Sequence, residues 1–351
     1  MTAVVWSPAT KLHVPKGEVW VGLPDPGDEV PERVDRILAT LSAAGAEILP
    51  AAEHDDTILR NVHDPAFLGY LRTVHAEWMA SWIPQRVGQD RVVPYMFATD
   101  AMLDGLPGRV PAAVHARAGR YAFDTMTPVG PHTWEAARAA VDCALTAADL
   151  VLGGRRSAYA LCRPPGHHVT RSAFGGSCYL NNAAVAAEAL RQGGFAQVGI
   201  VDIDAHHGNG TSSIFYDRGD VFYGSVHIDP GAGWFPHAVG FADETGNDAG
   251  AGANVNVPLP PETGDATWLE GVARLADAVR AHGSRALVVS LGVDAAIDDP
   301  NSPLRITRAG YGRAGELLAA LDLPTLLVQE GGYHLPTLGA LVAATVAPFG
   351  D

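Results

Sequence analysis

Short runs rich in Val, Ile, Leu or Ala recur along this chain, and each central one ends in a cluster of Gly, Pro, Asp or His. Nearly continuous apolar strands are buried on both faces, the condition of a parallel sheet covered by helices. The clearest runs span 158–162, 198–201, 221–226, 287–291 and 325–328. Helical patterns separate most of them, at roughly 30–44, 132–152, 181–192, 267–282, 307–321 and 335–348. This alternation predicts an α/β fold with a central, mostly parallel sheet.

Of the 351 residues, 47% are hydrophobic and 18% charged, enough apolar material for one large core or two modest ones and too much for a disordered chain. The pattern lapses over about 78–132, which reads as a lid, an oligomer contact or an irregular surface excursion with its own small apolar cluster. The net charge of −15 disfavours nucleic acid and anionic membranes as partners and suits small or cationic substrates. No run reaches the roughly 18 apolar residues that span a bilayer, and the start lacks the pattern of a signal peptide, so a cytoplasmic location is expected. The three cysteines show no CxxC spacing, so His and carboxylates are the expected ligands of any metal.

In open α/β sheets ligands sit beyond the carboxyl ends of the strands, so the polar clusters predict one shared site. RPPGHH presents His167 and His168 on a Pro-Pro-Gly turn. In VDIDAHHGNG, Asp202, Asp204 and His206 share parity along an extended chain and face one side. VVSLGVD delivers Asp294, and VQEGGY delivers Tyr333 after two glycines.

Asp204, His206 and Asp294 form a three-ligand set that leaves a coordination position open, as catalytic zinc requires; Fe2+, Co2+ or Mn2+ accept the same donors. Asp202 would not touch the metal itself but orient His167 through a hydrogen bond or bind a monovalent cation beneath the site. Neutral His168 or His167 would take a proton from a metal-bound water, and Tyr333 would donate to a developing oxyanion. That set describes hydrolysis of a carbonyl compound, an amide first among them, without a covalent intermediate, and no GxSxG elbow competes with it. The run ETGNDAGAGAN lacks phosphate-loop spacing and reads as a Gly-rich loop, and Cys178 reads as packing beside the site.

RPPGHH, GGSCYLNNAAVAA, VDIDAHHGNGT, IFYDRGDVFYGSVHIDP, WFPHAVGFADETG, VVSLGVD and VQEGGY together resemble the histone deacetylase superfamily, its bacterial acetylpolyamine amidohydrolases above all. The resemblance runs from KLHVPKGE to the final helix, weakest across residues 80–130. It implies a single catalytic domain over 1–351 with the arginase/deacetylase-like three-layer α/β fold and a family-type insertion at about 78–132. It implies Zn2+ on Asp204, His206 and Asp294, His168 as general base, His167 as its electrostatic or acid partner, and Tyr333 polarising the carbonyl. Asp202 would partner His167, and Asn209 would stand beside His168 where some relatives carry Asp, leaving His168 less basic. A structural K+ would take Asp202, the carbonyls of Asp204, His206 and Val226, and the Ser225 hydroxyl. A farther monovalent site would use carbonyls of Phe215, Arg218, Val221 and Ala253. Arg33 would line an acetate exit channel.

The same resemblance implies a substrate tunnel with Gly176 and Phe235 on its walls and Glu18 reading a cationic substrate. Two departures stand out. Ser177 occupies a position that usually carries Phe or Tyr, which predicts a wider, wetter mouth. His115, Arg117 and Met126 align where relatives place substrate-reading acids. The expected activity is zinc-dependent hydrolysis of a small acyl amide such as an acetylated polyamine, with protein acetyl-lysine or a bulkier amide as alternatives. A homodimer is expected, with Trp78, Trp82 and Tyr95 at the contact. A dinuclear ureohydrolase reading fails because Asp294 sits in SLGVDAAIDDP, not in SxDxDxxDP.

Overall fold

The computed structural model describes residues 2–350. Ten strands form: β1 (Ala3–Trp6), β2 (Glu18–Trp20), β3 (Leu23–Asp25), β4 (Ile48–Pro50), β5 (Ser157–Ala160), β6 (Val198–Asp202), β7 (Val221–Ile228), β8 (Asn254–Leu259), β9 (Ala286–Leu291) and β10 (Thr325–Gln329). Eight of them make one sheet in the order β4-β1-β5-β10-β9-β6-β7-β8, with every pairing parallel. β2 and β3 form a separate antiparallel hairpin.

Period-two alternation assigns each central strand to two layers at once. Val5, Ala158, Ala160, Ile200, Val288 and Val328 face one side, packed on the helices Thr133–Leu152 and Asn182–Gln192. Val4, Tyr159, Val201, Val289 and Leu327 face the other, against Trp268, Val272 and Leu275 of the helix Asp265–His282. The result is a three-layer α/β/α fold. Each buried Val or Leu contributes about 1.5–3 kcal/mol relative to exposure. Asn181 and Thr307 cap their helices by accepting from Ala184 N and Gly310 N, which explains why those two starts were visible in the sequence.

The five strands and six helices read from the sequence all form, with ends shifted by a few residues. Three strands of the sheet, β1, β4 and β8, escaped that reading. β1 and β4 are only four and three residues long. β8 is an edge strand whose Asn254 and Asn256 are buried by side-chain hydrogen bonds, so it lacks an apolar signature.

Residues 78–132 carry the short helices Ile83–Val87, Asp100–Leu103 and Val114–Tyr121. Trp78, Ile83, Val92, Val114, Ala118 and Tyr121 join the same core as the main body. Trp78 is therefore misplaced as a contact residue: it is buried, with its indole N–H donating to the Gln89 carbonyl at 2.9 Å. Trp82 and Tyr95 are exposed, with the His115 ring 5.7 and 6.3 Å from theirs. Among the described residues, no helix is long and apolar enough to cross a membrane.

Candidate active site

Four neighbouring strands, β5, β10, β9 and β6, bring four polar clusters to one end of the sheet. Asp202 closes β6, in register with Ser225 of β7 and Ser290 of β9. Asp204 and His206 follow directly, Asp294 lies three residues beyond β9, and Tyr333 four beyond β10. The turn after β5 is held from below by Glu330, whose Oε2 accepts from Gly166 N at 2.7 Å and His167 N at 3.1 Å.

The ring centroids of the two histidines of that turn lie 4.0 Å apart, the planes tilted by 46°, but the rings meet different partners. His167 Nδ1 lies 2.9 Å from Asp202 Oδ2, which also accepts from the Tyr223 hydroxyl at 3.1 Å. His168 Nδ1 lies 2.8 Å from Asn209 Oδ1, a neutral acceptor. An N–H on Nδ1 leaves the Nε2 lone pair of His168 free. Burial opposes charge on both rings, but Asp204 and Asp202 overcome it at His167 and raise its pKa well above the ordinary value. At His168 burial is reinforced by His167 and His206, and the pKa falls well below it. Adjacent titratable groups driven apart in this way suit separate proton-holding and proton-accepting roles.

One ligand atom from each of Asp204, His206 and Asp294 lies within 4.8 Å of the others, and the two carboxylates are buried. His206 Nδ1 is 3.3 Å from Asp204 Oδ1 and 3.0 Å from Asp294 Oδ2. Backbone amides orient both carboxylates: Gly331 N donates to Asp204 Oδ2 at 2.9 Å, and Ala205 N to Asp294 Oδ1 at 2.8 Å. A Cβ on Gly292 would stand 2.0 Å from Asp204 Oδ2, so this approach requires glycine. Burial lowers the His206 pKa, but the two carboxylates outweigh it and lift the value to about 10. The N and O donor set fits a divalent cation, which would replace that proton.

The Tyr333 ring lies 4.9 Å from the Arg33 guanidinium. Burial, partly offset by Arg33, raises the phenol pKa well above the ordinary value, so the hydroxyl keeps its proton at neutral pH. Arg33 donates to the carbonyls of Gly332 at 2.6 Å and Glu330 at 2.5 Å. From the other side Asp299 Oδ2 accepts from Tyr333 N at 2.6 Å and His334 N at 3.1 Å. Asp299 and Glu330 were missed in the sequence. Asp299 lies five residues past Asp294 in the run already quoted, and Glu330 within VQEGGY, but nothing local marks which backbone amides they meet.

The mouth is a cleft of ≈ 410 Å³ whose lining includes Trp20, Val21, Phe97, Phe123, Phe235 and Val239. Phe235 meets the His168 ring edge-on at 4.8 Å and stacks with Phe123 at 6.3 Å. A Cβ on Gly176 would strike His168 Cδ2 at 2.4 Å. Ser177 adopts φ 59°, its N–H donates to Thr127 Oγ1 at 2.9 Å, and its Oγ is 3.4 Å from Glu18 Oε1. Glu18 does not line this cleft. It lines an adjoining cavity of ≈ 480 Å³ with Asp25 and Asp90, and burial together with Asp124 pushes its pKa up to about 7.

Asp124 also went unnoticed in the sequence: it lines the mouth, but its oxygens accept from Gly176, Met126 and Thr127 amides. Met126 lines the mouth as aligned. Arg117 instead pairs with Glu77, and His115 sits by Trp82 and Tyr95. Neither His115 nor Arg117 lines the mouth, because their helix packs its buried face on the helix Pro65–Ala80. Asp202 and Ser225 face each other across the β6–β7 ladder, and Ser225 Oγ is 2.7 Å from His227 Nδ1. Val226 is fully buried beside them.

The histone deacetylase domain family matches residues 28–349. The acetylpolyamine amidohydrolase of Mycoplana ramosa is 40% identical over 342 residues, 97% of each chain. That of Burkholderia pseudomallei (strain 1710b) is 43% identical over 346 residues, 98% of this chain and 97% of its own. A crystal structure of acetylpolyamine aminohydrolase from Burkholderia pseudomallei superposes with a TM-score of 0.94 at 40% identity, covering 100% of this chain and 99% of that one.

Proposed function

We propose, on the premise that this chain belongs to the histone deacetylase family and is an amidohydrolase, that it removes the acetyl group from small acetylated amines, acetylated polyamines first among them. The carrying observation is the meeting of a neutral His168, an Asp204–His206–Asp294 donor set and the protonated Tyr333 at adjoining strand ends.

Asp204, His206 and Asp294 would hold Zn2+, with Fe2+ or Co2+ as substitutes. When bound there, the ion supplies Lewis acidity toward the acyl oxygen and lowers the pKa of a water. His168 accepts the proton of the attacking water at Nε2, while Asn209 holds the opposite N–H. Tyr333 donates from its hydroxyl to the acyl oxygen as negative charge develops on it, and the C–N bond then breaks as the proton taken by His168 passes to the amine nitrogen, releasing acetate and the free amine. His167, hydrogen-bonded to Asp202 through Nδ1, would balance that charge. Asp202 with the Ser225 hydroxyl and the carbonyls of Asp204, His206 and Val226 would hold a structural K+.

Gly176 and Phe235 pack against His168 and would form one wall of the substrate channel; Ser177 follows Gly176, and Glu18, 3.4 Å from its hydroxyl, stands in the adjoining cavity. A second reading, a bulkier aryl or acyl amide, is favoured by the aromatic lining of the mouth and by Ser177 where a ring is usual. The exposed Trp82 and Tyr95 support a homodimer.

The test is zinc-loaded protein assayed on acetylated polyamines, an acetyl-lysine peptide and bulky aryl amides, with His168→Ala as control. Fastest cleavage of acetylpolyamines supports the first reading and fastest cleavage of aryl amides the second. Full activity in His168→Ala refutes the assigned base.

A further inference from the structure

Glu29 lies outside the reacting centre, yet two catalytic segments meet through it. Its Oε1 is 2.9 Å from Arg33 Nη1 and 2.8 Å from Arg163 Nε, and Oε2 accepts from Arg163 Nη2 at 2.9 Å. All three side chains are buried, with Glu29 2%, Arg33 2% and Arg163 1% exposed. Arg163 heads the turn that carries His167 and His168, and also donates to the carbonyls of Thr10 and His13. Arg33 holds the carbonyls of Glu330 and Gly332 and lies against the Tyr333 ring.

A buried Arg–Glu–Arg group is a poor source of stability, because desolvation of three charges offsets most of their attraction. Well-packed apolar residues would serve a purely structural purpose as well. What an apolar core cannot supply is a set of directional bonds that fixes one backbone segment against another. Glu29 is the shared acceptor of that set, and the Glu330 carboxylate closes it into a ring by binding the Gly166 and His167 amides.

We infer that Glu29 is a positioning residue for Tyr333: through Arg33 and Arg163 it sets the placement of the phenol hydroxyl relative to His168. The inference rests on Tyr333 as the carbonyl-polarising group, which Tyr333→Phe tests alone. A misplaced donor weakens the transition state more than the bound ground state, so turnover falls while KM holds.

The experiment is a pair of double-mutant cycles on the zinc-loaded protein, Glu29→Gln and Arg163→Met, each in the native and the Tyr333→Phe background, with kcat, KM and zinc content measured. Arg163→Met leaves Glu29 and Arg33 as a balanced pair and decides the matter if Glu29→Gln does not fold. The expected result is a drop in kcat of about 10- to 100-fold with KM within about twofold in the native background, and a further drop under about twofold once Tyr333 is Phe. Glu29→Asp should recover part of the lost turnover. Equal losses in both backgrounds, or unchanged kcat in the native background, would overturn the inference. Undiminished turnover in Tyr333→Phe alone would overturn the assignment of Tyr333 and the inference with it.

Discussion

Replacing Asn209 by Asp changes one atom beside the proposed base. Asn209 Oδ1 lies 2.8 Å from His168 Nδ1, so the new carboxylate would stand in hydrogen-bond contact with the ring. With charge centres about 4 Å apart and an effective dielectric near 20, the attraction for an imidazolium is about 4 kcal/mol, or roughly 3 pKa units. Burying the carboxylate offsets part of this, and its second oxygen would face the His168 carbonyl that Asn209 Nδ2 now approaches at 3.4 Å. The expected net rise in the His168 pKa is about 1–3 units. Only neutral His168 accepts a proton, so a higher pKa keeps the inactive protonated form to higher pH. The acid limb of kcat/KM, set in the native protein by a His168 held well below its ordinary value, should therefore move upward. The assay is a pH profile of kcat/KM with a substrate that does not titrate in the range, and zinc content measured alongside. An acid limb that stays in place or moves down at full zinc content refutes the reasoning.

Tyr333→Phe should retain zinc and fold while lowering kcat about 10²- to 10³-fold, checked by metal analysis and steady-state kinetics. Gly292→Ala places a Cβ 2.0 Å from Asp204 Oδ2, so the purified variant should hold well under one zinc per chain; stoichiometric zinc with normal turnover would contradict this. Asp299→Ala removes the acceptor of the Tyr333 and His334 amides and should lower kcat by about 100-fold without loss of metal. Ser177→Tyr should improve kcat/KM for slender acetylated amines and depress it for bulky aryl amides; an unchanged ratio would show that this position does not set the width of the mouth.

Local chemistry was legible because it leaves local patterns. Buried parallel strands read as apolar runs, and Asp204, His206 and Asp294 are ligand types placed where strands end. His168 and Asn209 were placed together through family resemblance, and the structure puts them 2.8 Å apart. Glu18 was expected against the substrate, but the hairpin β2–β3 turns it toward an adjoining cavity. Trp78 was expected at a surface and lies in the core. Those positions depend on how the segment before Thr133 folds back on the main body, and no short-range period encodes that return.

The amino-acid sequence by itself determined the α/β alternation, the donor atoms at the strand ends and the kind of reaction those donors support. Each of these follows from periodicity or from residue chemistry over a few neighbouring positions. Only the tertiary structure decided that β5, β10, β9 and β6 lie side by side, which gathers residues 163 to 333 into one cleft. It alone drives the His167 pKa up and the His168 pKa down, because identical side chains differ only in the burial and charges around them. It also brought Glu29 between Arg33 and Arg163, a contact across more than 130 residues that depends on the packing of the first helix beneath the sheet.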